Sequence, residues 1–272
     1  MSLSDFTHEV AISADGSAIS YSRLGTGPGL VIVHGTARSA SDYDKLARSL
    51  AKSFTVYTVD RRGRGDSSPQ GAAYSLEKEC QDIVAVLRQT KALLLFGHSF
   101  GGVISLEVAL SGYPLTKLAL YEPALSVDHS ISADSIPRIE DALVQKDYTR
   151  AFIEVIKIVG GDAIPEAQLP GFAQAVAKSP AWPQIRSLLP TVPAEIKAVS
   201  DADSTYLKYK AVTTETLLIH GTESPTYALM ASKLLAQILP HAIEATVHGV
   251  GHNGPDTDAP EQVAAILTKF FT

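Results

Sequence analysis

Ser99 stands in the run Gly97-His98-Ser99-Phe100-Gly101, a G-x-S-x-G spacing with Gly102 behind it. A serine hydroxyl is a weak nucleophile until a base takes its proton. The context of the pattern matters more than the pattern. The apolar run 92–96 precedes it, and helical spacing over 99–110 follows it. A serine on so tight a strand-to-helix turn is presented at the end of a sheet, beside a helix N-terminus that favours negative charge. Gly97 and Gly101 remove two side chains that would collide as strand and helix converge. A base is expected from Gly249-Val250-Gly251-His252-Asn253-Gly254. A histidine in such a loop can take the serine proton and return it to a leaving group. His34-Gly35-Thr36 follows the apolar run 30–33. The backbone N–H groups of Thr36 and Phe100 are the expected pair for an alkoxide formed when a carbonyl is attacked. The His34 side chain is expected to shape its loop.

The other histidines offer no second chemistry. His248 is four residues before His252, but Gly249 and Gly251 disfavour the helix that a metal-binding pair would need. It reads as structural. His8, His98, His129, His220 and His241 have no ligand-like spacing, so no metal is expected.

These residues need a sheet to hold them. Strand-like runs are expected at 7–12, 17–23, 30–33, 55–59, 92–96 and 118–121, the first two joined at Asp15-Gly16. Helical spacing falls at 41–50, 76–87 and 99–110. This alternation implies a mostly parallel sheet covered on both faces. From 124 to 210 the rhythm breaks. Residues 136–159 keep helical periodicity, and six prolines from Pro165 to Pro193 cut the remainder into short pieces. The rhythm resumes with strands at 216–219 and 242–247 and helices at 226–239 and 259–271. The expected organisation is a core of residues 1–123 and 211–272, with a helical cap over 124–210.

Composition narrows the function classes. The 272 residues are 45% hydrophobic and 19% charged, which supports a large core and argues against disorder. The net charge of −6 offers no basic field for nucleic acid. Cys80 is the one cysteine, so an intramolecular disulfide and a multi-cysteine zinc site are excluded. No apolar run reaches the length of a membrane span. The opening MSLSDFTHEV lacks the basic and apolar regions of a leader, so a cytoplasmic location is expected. Oligomeric state is not legible.

The chain resembles the serine α/β-hydrolases with a helical cap after strand six. The resemblance rests on His34-Gly35, on Asp60-Arg61-Arg62-Gly63-Arg64-Gly65-Asp66-Ser67, on the 97–101 turn and on the His252 loop. It implies an eight-stranded α/β-hydrolase fold and hydrolysis of a carboxylic ester or related acyl bond in a small molecule. Ser99 is then the nucleophile and His252 the base, with no cofactor. The Asp60–Ser67 loop is read as structural, with Arg62 pairing locally. Serine at 99 separates the chain from epoxide hydrolases and haloalkane dehalogenases, which use an aspartate there. Thioester, amide, lactone and C–C bond hydrolysis, perhydrolase or haloperoxidase chemistry and a hydroxynitrile-type lyase use the same site. So does a receptor-like binding module without turnover.

One position departs from the pattern. The family usually carries its acid three residues past the glycine that ends strand seven. Here that glycine is Gly221, and the third residue is Ser224. Glu122, at the end of strand six before Pro123, is the favoured acid, and Glu223 is the alternative. Trp182, Phe152, Phe172 and Tyr148 are expected in the cap core more than in the pocket wall.

Overall fold

The computed structural model describes residues 6–160 and 164–272. Residues 1–5 of the opening segment read for a leader lie outside that description. The described residues form eight strands: β1 (Thr7–Ile12), β2 (Ala18–Gly25), β3 (Gly29–Val33), β4 (Thr55–Val59), β5 (Leu94–His98), β6 (Lys117–Tyr121), β7 (Glu215–Gly221) and β8 (Ala242–Val247). They make one sheet in the order β1-β2-β4-β3-β5-β6-β7-β8. The β1–β2 and β2–β4 pairs are antiparallel, and the others are parallel.

Period two explains why β3 reads as an unbroken apolar run. Val31 and Val33 face one core, with β5's Leu95 and the helices α2 (Leu76–Thr90), α3 (Phe100–Leu110) and α9 (Thr226–Ile238). Leu30 and Ile32 face another, with Phe96 and the helices α1 (Asp44–Leu50) and α10 (Pro260–Phe271). Each fully buried Val, Leu or Ile stabilises the fold by about 1.5–3 kcal/mol. α3 is buried almost all round, which fits its apolar composition.

Between β6 and β7 the described residues form five α-helices: α4 (Ile136–Val144), α5 (Tyr148–Val159), α6 (Leu169–Ala177), α7 (Trp182–Leu188) and α8 (Val192–Asp201). The continuous periodicity over 136–159 is two helices, not one. Lys146 turns the chain with φ 58°, and the Asp147 carboxylate then caps α5 by accepting from Arg150 N–H at 3.0 Å. The expected strand at 92–96 lies at Leu94–His98. The apolar run marked burial, whereas the ladder continues through Gly97 and His98 against Leu120 and Tyr121. That shift brings the strand directly up to Ser99. Among the described residues, no helix is long and apolar enough to cross a membrane.

Candidate active site

Ser99 is the single residue between β5 and α3, with φ 55° and ψ −121°. That left-handed backbone is strained for a side-chain-bearing residue and needs outside support. Ser99 N–H donates to Tyr121 C=O at 3.0 Å, and Ala124 N–H donates to Ser99 C=O at 3.0 Å. The turn is thus laced to the end of β6. Its tightness depends on missing side chains. A Cβ on Gly101 would stand 2.2 Å from Val33 C=O, and one on Gly97 would stand 2.4 Å from Ser105 Oγ.

Ser99 Oγ lies 3.0 Å from His252 Nε2. On the far side of the ring, His252 Nδ1 lies 2.7 Å from Glu122 Oε2. Glu122 follows β6 in a left-handed conformation, φ 44°, with its N–H held by Ile219 C=O at 3.0 Å. Its side chain is fully buried. Glu122 Oε1 accepts from Gly221 N–H at 2.9 Å and from the Ser224 hydroxyl. Burial raises this carboxyl, but the bonds from His252, Gly221 and Ser224 outweigh it and hold it below the usual carboxylate range. Glu223 is not part of this line. It is exposed, and its backbone N–H is fixed to Val250 C=O at 2.9 Å.

The 34–36 loop packs directly on the serine. A Cβ on Gly35 would be 2.9 Å from Ser99 Cβ, so only glycine permits this approach. The backbone N–H groups of Thr36 and Phe100 have no acceptor among the described residues. His34 is fully buried. Its ring lies 2.9 Å from Gly35 C=O through Nδ1, and its Nε2 accepts from Arg61 N–H at 3.3 Å. His248 lies exposed in the turn after β8.

One positioning residue escaped the sequence reading. His98 Nε2 is 2.9 Å from His252 C=O, and Nδ1 meets the Tyr43 hydroxyl. A carbonyl only accepts, so Nε2 carries the proton and Nδ1 accepts from Tyr43. Tyr43 O in turn accepts from Gly35 N–H at 3.3 Å. Burial, helped by the His252 charge, pushes the His98 ring down to about 3, which keeps it neutral. Its place in the strand-to-helix turn was the available signal. The contact joins residues 154 apart in sequence.

The Asp60–Ser67 loop is a buried junction. Arg62 forks onto Asp82 with two bonds of 2.7 Å and reaches Asp15 at 3.3 Å, so its partners lie outside its own loop. Arg61 and Arg64 both donate to Glu195 of α8. No group of three or more potential metal-ligating side chains forms among the described residues.

A cavity of about 510 Å³ opens beside Ser99 and His252. Phe152 and Phe172 line it. Trp182 instead packs edge-on against Phe152 at 5.7 Å, and Tyr148 lies under the Arg186 guanidinium at 4.2 Å. The four aromatic residues therefore divide between pocket wall and helical core.

The model of the alpha/beta hydrolase family matches residues 30–266. The chain belongs to that family. This α/β-hydrolase is similar to a solved alpha/beta hydrolase from Sphaerobacter thermophilus at 30% identity and TM-score 0.85, over 97% of this chain and 100% of the other. It shares its fold with an esterase from Exiguobacterium antarcticum, at 20% identity and TM-score 0.73, over 96% and 98% of the two chains. It is also 35% identical over 95 residues to a pimeloyl-[acyl-carrier protein] methyl ester esterase of Aeromonas salmonicida. That match covers 35% of this α/β-hydrolase and 37% of the relative.

Proposed function

We propose that this α/β-hydrolase cleaves carboxylic esters of small molecules through an acyl-enzyme on Ser99. The observation that carries the reading is the hydrogen-bonded line from Ser99 Oγ through His252 to Glu122, at 3.0 and 2.7 Å. The esterase names among its relatives support it.

In this reading Ser99 Oγ attacks the ester carbonyl carbon while His252 Nε2 accepts the serine proton. Glu122 holds the Nδ1 proton and stabilises the imidazolium that forms. The N–H groups of Thr36 and Phe100 stabilise the oxyanion. Collapse of the tetrahedral intermediate breaks the C–O bond, and Nε2 returns the proton to the departing alcohol. Water, deprotonated by His252, then releases the acid and restores Ser99. Residues 124–210 act as the cap, and α5, α6 and α7 wall the pocket over the serine.

The experiment is stopped-flow hydrolysis of nitrophenyl acetate and longer homologues. A burst of nitrophenol equal to the enzyme, followed by steady turnover, is expected. Saturable binding with no turnover of any ester would instead make the chain a small-molecule-binding module.

A further inference from the structure

The cavity beside Ser99 has two chemically different walls, and we propose that they select esters with one long apolar arm and an uncharged or cationic remainder, against anionic substrates. This deepens the esterase reading and rests on it. The wall contributed by the helical segment is apolar: Phe152, Val155 and Ile156 from α5, Phe172 and Val176 from α6, and Ile185 from α7. No charge is solvated against such a surface, whereas an alkyl or aryl arm leaves water there favourably.

Another part of the wall comes from the core segments and carries Arg38, Glu223 and Asp258. Arg38 looks like an anion clamp, but its guanidinium is already engaged. Nε donates to the buried Asp256, and a terminal nitrogen donates to Asn253 Oδ1 at 3.3 Å. Glu223 and Asp258 are exposed on the rim, and neither forms an ion pair among the described residues. Asp256 and then Asp42 are the carboxylates whose charge acts most on Arg38, while Asp258 and Glu223 share the cavity wall with it. Burial and then the Asp256 charge raise the Asp258 carboxyl, with Arg38 opposing and Glu223 adding to the rise, as expected for groups sharing one small space.

The chemistry that suits this pocket is a neutral ester, or one bearing an ammonium group, with an apolar chain or ring. The chemistry it disfavours is an ester bearing carboxylate, sulfate or phosphate. That includes acyl groups carried on phosphorylated carriers, whose charge would approach the acidic rim.

The test uses nitrophenyl octanoates whose ring carries no charge, a carboxylate or a trimethylammonium group. At low salt the cationic ester should exceed the anionic one in kcat/KM by about tenfold or more. Added salt should narrow the gap, and the Glu223→Gln/Asp258→Asn variant should close it. An anionic ester that matches or outruns the cationic one overturns the proposal. So does a gap that survives the double variant. The inference is also read without chemistry, by calorimetry on the Ser99→Ala protein, where octyltrimethylammonium should bind at least about tenfold tighter than octyl sulfate. The reverse order would defeat it. Absence of turnover on uncharged nitrophenyl acetate defeats only the esterase reading.

Discussion

The Ser224 hydroxyl donates a hydrogen bond to Glu122 Oε1. The serine three residues past Gly221, where the resemblance would put an acid, therefore serves a carboxylate on the neighbouring strand. With Gly221 N–H at 2.9 Å it occupies one carboxylate oxygen and leaves Oε2 for His252 at 2.7 Å. A buried glutamate held at both oxygens has little freedom to rotate away from the ring.

This division of labour makes the two glutamates unequal. Glu122→Gln should lower kcat on the order of ten-thousand-fold, by analogy with the aspartate of the serine proteases. Glu223→Gln should leave hydrolysis of a neutral ester within about threefold, because surface changes away from such a network are small. Ser224→Ala should lower kcat by about ten- to a hundredfold, the range for losing one hydrogen bond to a charged group. Steady-state kinetics on an uncharged ester, with thermal melts to confirm folding, decide all three.

The fold should weaken in acid because two buried histidines are held neutral in it. His98 is held neutral down to about 3, first by burial and then by the His252 charge. His34 is lowered too, by burial and then by Arg61 and Arg64. In the unfolded chain both rings take a proton below about 6.5. The unfolded state then binds more protons than the native one, so stability falls as pH drops from there toward 3. His98 contributes about 1.4 kcal/mol per pH unit in that window, and His34 acts in the same direction. Glu122 acts in the same direction. Its lowered carboxyl stabilises the fold above the ordinary carboxylate range and loses that contribution as pH falls through its folded value. Chemical denaturation between pH 4 and 7 should show this slope, and His98→Gln should flatten it.

The junction between α8 and the core should be costly to break. Arg61, Arg64 and Glu195 have fully buried side chains, and Glu79 stands 3.6 Å from Arg61. Glu195→Ala leaves two buried guanidinium groups short of a partner and should destabilise by about 3–5 kcal/mol. Urea unfolding of Glu195→Ala and Glu195→Gln measures this, with the glutamine variant expected to lose less.

The parts legible in the sequence were those that short-range chemistry dictates. The strand-to-helix turn could be read because Gly97 and Gly101 sit where a Cβ would strike Ser105 Oγ or Val33 C=O. The eight-stranded sheet could be read because both faces of β3 and β5 are covered, which leaves continuous apolar runs. Strand ends were less legible. β5 runs two residues past its apolar stretch, because hydrogen bonding to β6 and not hydrophobicity sets its limit. Contacts between distant residues were not legible. Nothing in the sequence joins His98 to the carbonyl of His252, or Glu195 to Arg61 and Arg64, since only the folded chain brings them together.

In the proposed mechanism Ser99 is the nucleophile, activated by His252 and held ready by Glu122. A fluorophosphonate probe followed by peptide mass mapping tests it most directly, because the probe reports on the attacking oxygen itself. One adduct per chain is expected, on the peptide containing Ser99. Labelling should be absent in Ser99→Ala, and its rate should fall by orders of magnitude in Glu122→Gln. An adduct on another residue, or undiminished labelling of Ser99→Ala, would contradict it.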